Sequence, residues 1–159
     1  MGLWGRSGGV WYRVKEFYFD SRRERRQMTD AEYADALEDL AGGRQITAVI
    51  VDPSAASFIA VIRRHGRFSV RKAKNAVLPG IQLVSRLLKA GVLQIAPQCK
   101  DCIREFSLYR WEPEGDRVCK ENDHAMDDIR YFVTTILNSG DGCVFAVAAD
   151  RRTGCEVIF

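Results

Sequence analysis

The densest chemistry in the chain lies in K-E-N-D-H-A-M-D-D-I-R-Y-F, residues 120–132. Glu121, Asp123, His124, Asp127 and Asp128 crowd together before the stretch turns apolar. His124 and Asp127 are three apart, so a helix would project both from one face near its first turn. Imidazole and carboxylate are both good ligands for a divalent cation. The same residues also suit an ordinary helix start, because acids are favoured there by the helix dipole and Asn122 or Asp123 is a competent cap. A further carboxylate, Asp52, follows the run I-T-A-V-I-V at 46–51. So apolar a run reads as a strand covered on both faces. In open α/β sheets the carboxyl end of such a strand is where ligands bind. Asp52 is thus either a site carboxylate or, with Ser54, the cap of the next turn.

The elements around these residues follow from pattern. V-W-Y-R-V-K-E-F-Y-F (10–19) is aromatic and β-branched and reads as a strand, with G-L-W-G before it as a hairpin partner. T-D-A-E at 29–32 resembles a capping box opening a helix with Tyr33, Ala36, Leu37 and Leu40 on one stripe, ended by Gly42 and Gly43. After Asp52, Ser54 is expected to cap a helix to about Arg64, with Phe58, Ile59 and Ile62 inward. Residues 67–72 read as another strand and 79–90 as a helix with Ile81, Val84, Leu87 and Leu88 on its apolar face. A short extended piece at 92–96 precedes a helix over 99–111, for which Ile103, Phe106 and Leu108 are the expected inward residues. A last helix is expected from about His124 to Asn138. An opening hairpin followed by alternating strands and helices is an α/β pattern with a mixed sheet. Residues 1–140 make one domain on this reading, and 141–159, with C-V-F-A-V-A-A and C-E-V-I-F, read as a hairpin or an appended tail.

Composition narrows the class. The chain of 159 residues is 47% hydrophobic and 28% charged, which suits one soluble domain. No apolar run reaches the roughly 18 residues of a membrane span, and the opening lacks a signal peptide's apolar centre, so a cytoplasmic protein is expected. Five cysteines without a secretion signal argue against a disulfide framework. Cys99 and Cys102 form a lone C-x-x-C without the second pair of a structural zinc site, so neutral or buried thiols are expected. The net charge is only +3. It is concentrated in Arg22, Arg23, Arg25 and Arg26, and in Arg63, Arg64, Arg67, Arg71, Lys72 and Lys74. Such clusters suit a polyanion, or a solvated face.

Four segments in order, V-D-P-S-A-A-S-F-I-A-V-I-R-R-H-G, A-K-N-A-V-L-P-G-I-Q-L-V-S-R-L-L-K-A-G-V-L-Q-I, C-K-D-C-I-R-E-F-S-L-Y-R-W-E-P and K-E-N-D-H-A-M-D-D-I-R-Y-F, resemble the nuclease domain of tailed-phage terminase large subunits. The type is that of Bacillus prophages, and the likeness covers about residues 1–138. It implies an RNase H-like fold in a DNA-packaging protein whose nuclease cuts concatemeric phage DNA with Mg²⁺ or Mn²⁺. It implies metal carboxylates at Asp52 and Asp127, with His124 beside them as ligand or proton-transfer group. Asp123, Asp128 and Glu16 are accessory candidates, while Arg130 and Tyr131 would pack or brace the site. Double-stranded DNA would be held through its phosphates by Arg22, Arg23, Arg25, Arg26, Arg71, Lys72 and Lys74. Further partners implied are the terminase ATPase domain, the small terminase subunit and the portal, in the cytoplasm of a bacterial host carrying the prophage. A recombination or repair nuclease on the same fold is an alternative.

One piece of the pattern has no counterpart. In such domains the central first strand carries a metal-bridging aspartate in a segment of the type I-D-Y-G-T-x-N-P, and this chain opens on what resembles the second strand. No Walker A loop is present, so no ATPase is expected. With few carboxylates magnesium binds weakly, so a prophage remnant that holds DNA or a partner protein without cutting is the other reading. A sheet without its middle strand leaves unpaired backbone on both neighbours. The C-V-F-A-V-A-A segment, or a strand from a second copy, is expected to cover it.

Overall fold

A computed structural model describes residues 1–112, 117–119, 121, 123–138 and, as backbone only, 155–158. Strands β1 (Gly2–Ser7) and β2 (Val10–Glu16) form the opening hairpin. Its two-residue turn is Gly8-Gly9, both with positive φ, 57° and 83°, which matches the twist of the flanking strands. A single turn, α1 (Ser21–Glu24), is capped by Asp20 and leads to α2 (Asp30–Ala41). The capping box of α2 is complete: the Glu32 amide donates to Thr29 Oγ1, and the Thr29 amide donates to the Glu32 carboxylate. Next come β3 (Ile46–Val51), α3 (Ala56–His65), β4 (Val70–Lys72), α4 (Val77–Lys89), β5 (Leu93–Ile95), α5 (Lys100–Leu108) and α6 (His124–Phe132). The last helix runs on in a π-helical turn, Val133–Leu137. Strand β6 (Cys155–Ile158) ends the order. No described helix is long and apolar enough to cross a membrane.

The six strands form one mixed sheet in the order β4-β3-β6-β1-β2-β5. β6 lies parallel to β3 and antiparallel to β1, and so joins two half-sheets. The middle slot is therefore occupied. Its occupant is C-E-V-I rather than C-V-F-A-V-A-A, which lies outside the described residues.

Strand alternation sorts the core into two layers. Leu3, Val49 and Val51 point into one cluster with Ala34, Leu37 and Leu40 of α2 and Phe58, Ile59 and Ile62 of α3. Trp4 and Ile50 point into the other, with Leu87 of α4, Cys102 of α5 and Met126, Ile129 and Phe132 of α6. Trp4 stacks on Phe132 with ring centroids 4.3 Å apart. Cys99 and Cys102 are buried and not joined in a disulfide.

Two expectations are corrected. Helix α3 has no side-chain cap; Ser54 instead turns back on Asp52. In α5 the expected inward residues are outward: Ile103 is 47% exposed, Phe106 36% and Leu108 45%, while Cys102 and Glu105 are buried. Glu105 is held inward by polar partners, so the apolar pattern misread the face.

Candidate functional site

Strand β3 and helix α6 set the site. β3 is buried along its last four residues, which fixes where its end lies and delivers Asp52 there. Asp52 then closes a tight turn: the Ser54 amide donates to Asp52 Oδ1 at 2.8 Å and the Ser54 hydroxyl to the same oxygen at 2.7 Å. Such a local turn is what aspartate does well. The other oxygen, Oδ2, accepts the Tyr131 hydroxyl at 2.5 Å. Burial alone would push the Asp52 carboxyl up. The Tyr131 hydroxyl, the Ser54 donors and the nearby Arg130 charge outweigh it, and its pKa is lowered. Burial, then the bond to Asp52, pushes Tyr131 up to about 12.

Helix α6 is seated by buried charge. Arg13 of β2 is 1% exposed and donates to Asp128 Oδ2 at 2.6 Å. Glu105 of α5, with no exposure, accepts the Ala125 amide at 2.6 Å and the Tyr18 hydroxyl at 2.7 Å. Glu105 thus caps α6, not Asp123, which stands at the N-cap without a side-chain cap bond; Asn122 lies outside the described residues. On the seated helix Asp127 accepts from Arg130, Nη2 at 2.6 Å and Nε at 3.2 Å, both on Oδ1.

The result is a cleft of about 380 Å³ lined by Asp52, His124, Asp127, Asp128 and Tyr131, together with Asp30, Tyr33 and Phe58. The three principal sequence candidates, Asp52, His124 and Asp127, therefore line one cleft. Of the accessory candidates, Asp128 reaches the cleft but is buried against Arg13. Glu16 sits elsewhere, accepting the Asp101 and Cys102 amides at the start of α5. Among the described residues, no group of three or more His, Cys, Asp or Glu side chains is placed to hold a metal ion. Asp52 is engaged by Ser54 and Tyr131, and Asp127 by Arg130, so these residues as they stand do not make a finished cation site.

Of the basic candidates, register places Lys72 at this end of the sheet. Lys72 pairs in register with Val51, the residue before Asp52, and Arg71 and Lys72 are exposed on the edge strand β4. Arg22, Arg23, Arg25 and Arg26 are exposed around α1, and Arg26 is paired with Glu32 at 2.7 Å. Lys74 is exposed, but its backbone is tied to the π-helical turn: its amide donates to Thr135 Oγ1 and its carbonyl accepts from Thr134 Oγ1. Sequence reasoning missed Arg13, Glu105 and Asn75. A charged residue within the β2 pattern was the available signal for Arg13; nothing local marks the other two.

No protein-family model matches the chain, and no curated protein matches it. Among solved structures it is similar to the large terminase of a thermophilic bacteriophage in complex with ADP, at 45% identity over 86% of this chain and 36% of that one, TM-score 0.82. A second crystal of that terminase gives 44% identity and the same coverages, TM-score 0.81. The chain thus spans about a third of that protein's length, 36%. The nuclease domain of g2p, the large terminase from bacteriophage SPP1, with bound Mn, matches at 19% identity over 80% of this chain and 72% of that one, TM-score 0.59. That likeness carries the fold alone. Together these neighbours make the architecture an RNase H-like mixed sheet flanked by helices, and the solved proteins it resembles are large terminases of phages.

Proposed function

We propose that the chain is the nuclease domain of a phage large terminase, of the Bacillus-prophage type, acting on double-stranded DNA in the host cytoplasm. Residues 1–140 form that domain, completed by a strand from the 141–159 tail. The observation that carries this reading is that Asp52, His124 and Asp127 line one cleft. The reaction is metal-dependent phosphodiester hydrolysis with Mg²⁺ or Mn²⁺, and it needs an acid from outside the described residues beside Asp52 and Asp127. The chain's own contribution is to orient those two carboxylates, Asp52 through Ser54 and Tyr131 and Asp127 through Arg130. Arg71, Lys72, Lys74 and the Arg22–Arg26 group contact DNA phosphates, and the ATPase domain, small subunit and portal are the protein partners.

The incomplete acid cluster favours a second reading, a remnant that binds DNA or a partner protein without cutting. Supercoiled plasmid incubated with the protein and Mn²⁺ separates the two. Nicked and linear products that disappear with Asp127→Ala support the nuclease. Intact plasmid with the parent protein, alongside retained DNA binding, supports the remnant.

A further inference from the structure

Arg130 is 3% exposed, yet its guanidinium has a partner on each side. Nε and Nη2 donate to Asp127 Oδ1, and Nη1 donates to the Asn75 side-chain oxygen at 2.6 Å. Its Cζ lies 4.7 Å from the Tyr131 ring centroid. The stem runs against α4 where Gly80 leaves room: a Cβ at Gly80 would stand 2.7 Å from Arg130 Cγ. Asn75 follows Lys74, whose amide and carbonyl are both bonded to the π-helical turn, so the loop is fixed to the same helix. A guanidinium is a rigid planar fork, and fixing one edge sets the other.

We infer that Asn75 and Arg130 are positioning residues that set the direction of the Asp127 carboxylate. The inference rests on the reading of Asp127 as a working acid of the cleft. Both Arg130 donors converge on Oδ1, so the guanidinium fixes that oxygen and with it the carboxylate plane. Asn75 suits its place because a neutral amide oxygen fixes the guanidinium without competing for its charge. A carboxylate there would compete with Asp127.

The test compares the parent with Asn75→Ala and Asn75→Asp. Asn75 is exposed, so neither variant is expected to alter folding. The first readout needs neither metal nor DNA: exchange of the Arg130 Nε–H with water by ¹⁵N NMR, together with the Asp127 carboxylate ¹³C shift. Asn75→Ala should speed that exchange about tenfold, as loss of one charge-assisted hydrogen bond implies, and move the carboxylate shift. The second is the Mn²⁺ concentration for half-maximal plasmid cleavage, which should rise by a similar factor while DNA affinity stays unchanged. Asn75→Asp should move the Asp127 shift further than Asn75→Ala. Unchanged Nε–H exchange and carboxylate shift overturn the inference, as does cleavage indistinguishable from the parent despite a changed NMR signal. If the NMR signals move and the parent itself cuts no DNA, the positioning stands and the nuclease reading falls.

Discussion

Asp127 and Asp128 are neighbours in sequence and opposites in structure. The Asp127 side chain is 32% exposed at the cleft; that of Asp128 is 4% exposed and set against Arg13, itself 1% exposed. About 100° of helix rotation separates them. Glu105 and Glu16 fall on the Asp128 side of this division, because they hold helix starts rather than a ligand. Exposed carboxylates are available for chemistry; buried ones are fixed partners whose loss strands another polar group.

The sharpest way to break this comparison is to remove each acid in turn. Asp128→Ala leaves a buried guanidinium without its closest counter-charge and should cost about 3–5 kcal/mol in urea unfolding. Asp127→Ala should cost less, about 1–3 kcal/mol, because Arg130 keeps Asn75 and the site is half open. Equal losses would erase the distinction. Next in size is Glu105→Ala, which strips the Ala125 amide and the Tyr18 hydroxyl of their acceptor and should cost about 2–3 kcal/mol by the same measurement.

Asp52 offers a pH test. Its folded pKa lies below the unfolded value, so its contribution to stability is present above an unfolded pKa of about 3.9 and is lost as pH falls through the folded one. Tyr131→Phe removes one cause of that lowering. The Asp52 carboxyl, followed by ¹³C NMR, should titrate at higher pH in the variant than in the parent. In the reverse direction, Asp52→Asn should bring the Tyr131 phenol down from about 12, read from tyrosinate absorbance. A phenol that does not move would mean the 2.5 Å contact is not formed in solution.

Much of this was legible because the signals were local. The Thr29–Glu32 box, the opening hairpin and the apolar β3 run each depend on residues close in sequence, and each formed as read. Asp52 and His124-Asp127 were singled out by their types and places, and in the fold all three line one cleft. The buried pairs were not legible. Arg13 and Asp128 are 115 positions apart, and Glu105 and Ala125 belong to different helices. Nothing local shows that an acid will be satisfied by a distant amide or guanidinium. An open middle of the sheet was anticipated; the slot lies between β3 and β1, and its occupant came from a different part of the tail, since several short apolar runs satisfy the same backbone edges.

Helix α5 gives the smallest and most instructive test, since here the apolar pattern pointed the wrong way. Had Ile103 been inward, as its spacing suggested, replacing it with serine would cost several kcal/mol as a core deletion, about 2–5. At 47% exposure it contacts solvent instead. Ile103→Ser should therefore change unfolding free energy by no more than about 0.5 kcal/mol, well below the loss from Glu105→Ala two positions on. That ordering, an acid outweighing an isoleucine on one helix, follows only if Glu105 is the residue that seats α6. A large loss from Ile103→Ser would rotate α5, withdraw Glu105 from the Ala125 amide, and remove the support on which His124 and Asp127 stand.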